Sequence, residues 1–117
     1  MQIQLNTDKN VQGDESLAGW VERELRTKLA RHQDHVTRIE VHMSDASPTR
    51  HGANDKLCTL EARVAGRQPT AVGHEAASVP EAFHGALDKL QRVLDKEMAR
   101  GRESHARASI RGVPEQD

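Results

Sequence analysis

The most constraining feature of this chain is that the spacing of its apolar residues changes period several times. In MQIQLN, residues 1–6, Ile3 and Leu5 alternate with Gln2, Gln4 and Asn6, the two-residue period of a half-buried strand. From Asp14 onward Leu17, Val21, Leu25 and Leu29 recur every fourth residue. That spacing puts them on one face of a helix running to about His32, with Asp14 or Ser16 placed to cap its first amides and Gly19 a tolerable interruption. Alternation returns over Val36 to Ser44, with Ile39, Val41 and Met43 on one side and Arg38, Glu40 and His42 on the other. It returns again over Lys56 to Ala65, where Cys58, Leu60, Ala62 and Val64 share the inner side. Gly66 to Pro69 is a hairpin turn, and Thr70 to Ala76 pairs back as a weaker strand of small residues. Ser78, Pro80 and Glu81 then spell a capping box with proline in the first helical turn. The helix they open buries Phe83, Ala86, Leu87, Leu90, Leu94 and Met98 and should stop near Gly101.

The resulting order is β-α-β-β-β-α, an α+β fold. Strand, helix and strand in succession favour a right-handed crossover with two parallel strands, and the short later connections favour antiparallel pairing, so a four-stranded mixed sheet is expected. Both amphipathic helices need cover, which places them on one face of that sheet and leaves the other face wet. The chain of 117 residues divides into a domain over 1–100 and a disordered tail over 101–117, where RESHARASIRGVPEQD keeps no period. The segment DASPTRHGAN, with Pro48, Gly52 and Asn54, is expected to be an exposed loop.

Composition narrows the function by exclusion. No apolar run approaches the roughly 20 residues needed to cross a bilayer, and the first residues lack the core of a secretion signal, so no membrane partner and a cytoplasmic location are expected. One cysteine cannot close a disulfide within the chain, and Cys58, set in an apolar alternation without a base beside it, reads as core and not as a nucleophile. No glycine-rich phosphate loop or nucleophile elbow is present, so catalytic residues, cofactors and a small-molecule substrate are not expected and the protein is not read as an enzyme. Seven histidines raise a metal site, but none is paired with another at helical i,i+4 spacing, and His32 with His35 has no better companion than Asp34. No metal is expected. His42 and His74 read as solvent-facing or bridging residues.

What remains is charge arrangement. The formal net charge is only −1. On the second helix, however, Lys89, Arg92, Lys96 and Arg100 fall in a stripe about 80° wide beside the apolar seam, with Glu81, Asp88 and Asp95 on the other side. Cations at that spacing can meet successive phosphates and release their counterions. The competing reading is a solvated face of ordinary helix pairs such as Asp88 with Arg92. The first helix carries Arg23, Arg26, Lys28 and Arg31 scattered among Glu22 and Glu24. With no tyrosine, and with Trp20 and Phe83 at core positions, base stacking is not available, so an RNA partner would be read by backbone shape.

The element order and the segment ALDKLQRVLDK, Ala86 to Lys96, resemble the ribosome hibernation promoting factor and ribosome-associated inhibitor A family, also called the sigma 54 modulation proteins. Asp88, Lys89, Leu90, Arg92, Leu94 and Lys96 stand where that family's closing helix carries its D-K-L-x-R-x-L-x-K pattern, and MQIQLN and LAGWVERELRTKLARHQDHVTRIEVHM are similar to its first strand, first helix and second strand. The likeness covers about residues 1–100. It implies a translation regulator that binds the small ribosomal subunit in the channel used by messenger and transfer RNA when growth stalls. Ribosomal RNA contacts would then fall to Lys89, Arg92 and Lys96, joined by Lys28 and Arg31 of the first helix, while Arg100 is added as a candidate by the spacing of the stripe. The chain is similar to the short forms, without the further domain through which long members pair ribosomes, and a weak homodimer stays open. It departs from the family at Glu24, where a basic residue is common, at Asp95 and Glu97 in the second helix, and in the length of the loop over 45–55. The alternative is a protein-interaction module of the same fold without ribosome binding.

Overall fold

The computed structural model describes residues 1–46 and 55–115, with side chains as far as Gly101. Strand β1 (Gln2–Thr7) leads into helix α1 (Glu15–Lys28) and a short 3-10 turn at Ala30–His32. Strands β2 (Val36–Asp45), β3 (Lys56–Val64) and β4 (Thr70–Ala76) follow, and helix α2 (Val79–Glu115) closes the chain. The sheet order is β1-β2-β3-β4, with β1 parallel to β2 and the other two pairings antiparallel. This is the expected mixed sheet, and both helices lie over one face of it.

Register follows from burial. Ile3 and Leu5 stand beside Ile39 and Val41, and these stand beside Ala62 and Leu60, so the apolar sides of three strands form one floor. Sliding any strand by one residue would turn its apolar set out to water. A bulge between Val36 and Arg38 adds a residue to β2, which lets both Val36 and Ile39 point inward although they are three apart. Onto this floor α1 sets Val21 and Leu25, and α2 sets Phe83, Ala86, Leu87, Leu90 and Leu94, all buried. Each large side chain buried this way contributes about 1.5–3 kcal/mol.

The local signals act as read. The Leu17 amide donates to Asp14 Oδ1 at 2.9 Å, so Asp14 is the cap of α1. At α2 the Glu81 amide donates to Ser78 Oγ at 3.3 Å, and the Ser78 hydroxyl lies 3.1 Å from the Glu81 carboxylate.

Two expectations are corrected. Helix α2 does not stop near Gly101 but continues to Glu115. A glycine costs a helix only about 1 kcal/mol relative to alanine, and Arg100, Arg102, Glu103, Ala106 and Arg107 around it are good helix formers. The disordered tail expected over 101–117 otherwise concerns side chains outside the described residues, as does most of the loop over 45–55. The second correction concerns His74. It pairs with Cys58 across the β3–β4 ladder and shares the inner face with Val72 and Ala76, under α2 and against Gly85.

Candidate nucleic-acid interface

The seam of α2 fixes where every other side chain of that helix can go. With Phe83, Leu87, Leu90 and Leu94 down on the sheet, residues about 100° to either side emerge along two flanks.

One flank faces α1. Gln91 Nε2 donates to the Lys28 carbonyl at 3.3 Å, and His32 Nε2 lies 2.7 Å from Asp95 Oδ1. The same carboxylate oxygen stands 3.9 Å from Arg31 Nη1. Further up, His84 Nε2 meets Glu24 Oε1 at 3.0 Å, beside Trp20, whose ring centroid is 5.1 Å from that of Phe83. The groove between the helices is therefore closed by two histidine–carboxylate contacts, and His32 itself is only 3% exposed.

The other flank faces the sheet edge at β4. Lys89 Nζ donates to the Gly73 carbonyl at 2.8 Å, which identifies the side on which the basic stripe lies. Lys96 and Arg100 are exposed toward the same side, and Arg92 on the outer crest of the helix, opposite the buried seam. Among the described residues none of the three has a carboxylate within ion-pair distance, and the Asp88–Arg92 pair of the competing reading is not formed.

The six candidate residues are thus spread over more than one element. Lys89, Arg92, Lys96 and Arg100 share one stripe of α2, which runs from the outer crest at Arg92 toward β4, where Lys89 meets the Gly73 carbonyl. Lys28 and Arg31 sit at the end of α1, across the width of α2, and Arg31 faces Asp95. Sequence reasoning placed Asp95 on the acidic side of the helix but missed its link to His32 and Arg31, which joins residues 63 apart in sequence. It also left Arg67 as a turn residue, whereas the fold lays its guanidinium against α2 at Gly101.

Elsewhere a cleft of about 260 Å³ opens at one end of the sheet beneath α2, walled by Val36, Val64, Leu94 and Met98 with His35 and Arg67 at its margin. Cys58 is buried in the core and burial pushes its thiol up to about 12, so it is protonated at neutral pH. Among the described residues no group of three or more His, Cys, Asp or Glu side chains could hold a metal ion, and no helix is long and apolar enough to cross a membrane.

Fold and surface together define a small α+β domain whose distinguishing feature is an unneutralised basic helix flank. The chain belongs to the sigma 54 modulation protein / S30EA ribosomal protein family, whose profile matches residues 6–102. This is the family that Ala86 to Lys96 resembles. The fold is similar to that of the Thermus thermophilus Protein Y N-terminal domain, with a TM-score of 0.67 at 21% identity over 82% of this chain and 98% of that one. It is equally similar to a ribosomal subunit interface protein from Coxiella burnetii, with a TM-score of 0.67 at 19% identity over 85% and 99% of the two chains. No curated protein matches the sequence significantly.

Proposed function

We propose that this protein is a ribosome-binding translation regulator of the hibernation-factor type, acting without catalysis in the cytoplasm under slow growth or stress. It docks on small-subunit ribosomal RNA through the β4-side flank of α2. The observation that carries this reading is the absence of any carboxylate partner, among the described residues, for Arg92, Lys96 and Arg100. Cations left solvated along about 12 Å of one rigid helix give up little internal stabilisation when they move to phosphates. Membership of the family and the fold shared with a ribosomal subunit interface protein support the ribosome as the polyanion. With few aromatic side chains to stack on bases, recognition is of backbone shape.

Co-sedimentation with purified small subunits across a salt series tests this. Three to four phosphate contacts predict log K falling against log salt with a slope of about −3. Binding that is absent at low salt would refute the reading. The formal charge of −1 favours a second reading, a protein-interaction module of the same fold. It would be supported by a pull-down from stationary-phase lysate that returns a defined protein and no ribosomal RNA.

A further inference from the structure

We infer that the cleft at the end of the sheet is a binding site for a free α-amino acid with an apolar side chain, its carboxylate held by Arg67 and its ammonium by Glu97. The inference is independent of the RNA-binding reading and concerns the sheet-facing side of α2.

The cleft exists because α2 outruns the sheet. The last rung between β2 and β3 pairs Val36 with Val64, and α2 continues past it. Leu94 is buried, whereas Met98, about one turn further along the helix, is only half-buried. Val36, Val64, Leu94 and Met98 thus wall an apolar hollow of about 260 Å³. Sites for drug-sized ligands run from about 300 to 1,000 Å³, so this one suits a single apolar side chain and its head group.

The mouth of the hollow carries charges of both signs. Gly66, at φ +75, turns the chain back, and the Arg67 amide donates to the Val64 carbonyl at 3.1 Å, which brings Arg67 to the cleft. Its Nη2 lies 3.1 Å from the position a Cβ on Gly101 would occupy, so the bare backbone at 101 leaves room for the guanidinium against α2. Glu97 lines the same cleft, with its Oε1 3.5 Å from Thr70 Oγ1. Among the described residues neither Arg67 nor Glu97 has an oppositely charged side chain within ion-pair distance, so the two are not spent on each other. Positions 97 and 101 are about 6 Å apart along the helix axis. An ammonium and a carboxylate carried on one carbon bridge that span with a hydrogen bond of about 2.9 Å at each end, the guanidinium offering its planar fork to the carboxylate. The side chain on the same carbon enters the apolar hollow. A plain anion would meet Glu97 and a plain cation would meet Arg67, so the complementary ligand carries both charges.

Isothermal titration calorimetry on the full chain decides this, with L-leucine, L-methionine and L-phenylalanine as probes. At least one is expected to bind with a Kd of about 0.01–1 mM. Amidation of its carboxylate, or acetylation of its ammonium, should each weaken binding at least about tenfold. R67Q should weaken the amino acid at least about tenfold and leave its amide unchanged, and E97Q should do the same to the amino acid and leave its N-acetyl derivative unchanged. The comparison of ligands needs no variant, so it stands even where a substitution disturbs the fold. No saturable binding of any of the three at tenfold the weakest expected Kd overturns the inference. Equal binding of the amide and N-acetyl forms, or full affinity in both variants, overturns it too, because the hollow would then take apolar groups without reading their charges.

Discussion

Charge reversal at Lys89, Arg92 and Lys96 together is expected to weaken binding to small ribosomal subunits by at least about 100-fold at roughly 0.1 M salt. Each replacement removes a counterion-releasing contact and sets a carboxylate against phosphate, and a 100-fold loss needs only about 2.7 kcal/mol across three sites. The fold should survive. All three residues are exposed on α2, and the only internal bond lost among the described residues is that from Lys89 to the Gly73 carbonyl, a surface hydrogen bond contributing about 1 kcal/mol. The melting temperature should therefore fall by no more than about 4–8 °C. Co-sedimentation alongside thermal melting separates the two effects. Undiminished binding by a folded triple variant would remove these side chains from the mechanism.

Gly85→Ala is expected to destabilise the domain by about 1–3 kcal/mol, although alanine is the better helix former by about 1 kcal/mol. The reason is His74. A Cβ on Gly85 would stand 2.0 Å from its Cδ2 and 2.4 Å from Cγ and Nε2, so either the ring or the helix must move. The ring is held by its place on the inner face of β4, opposite Cys58, and α2 is held by the buried seam on either side of Gly85, Phe83 and Leu87. Removing the imidazole should reverse the effect: His74→Ala with Gly85→Ala should recover most of the loss and keep part of the propensity gain. Chemical denaturation of the two single variants and the double variant gives the coupling. Additive losses would show that the approach of helix to strand at this point is not what requires glycine.

Most of the architecture was legible because it rests on period. Ile39, Val41 and Met43, or Leu17, Val21 and Leu25, announce strand and helix through spacing alone, and the caps at Asp14 and Ser78 mark where each helix starts. The helix end was not legible. Gly101 is a stop signal on propensity, but its cost is small against that of the helix formers around it, and its partner Arg67 lies 34 residues away in sequence. His74 could have been placed from Val72 and Ala76, whose alternation sets the phase of β4. The site was half legible. Helical projection groups Lys89, Arg92, Lys96 and Arg100, which needs only the sequence. Which neighbour each flank meets needs the packing of α2 between α1 and β4, and that packing separates Lys28 and Arg31 from the stripe. Sequence proximity to the family pattern suggested one surface, whereas Lys28 and Arg31 stand on the α1 side of α2 and Lys89 on its β4 side.

Lysine acetylation footprinting on the complex with small ribosomal subunits interrogates that division residue by residue. Lys96 should be labelled at least about tenfold more slowly when subunits are bound, while Lys28, on the far side of α2, keeps its free rate. Equal labelling of Lys96 with and without subunits, or protection of Lys28 in its place, would contradict a ribosomal contact through this side of the helix.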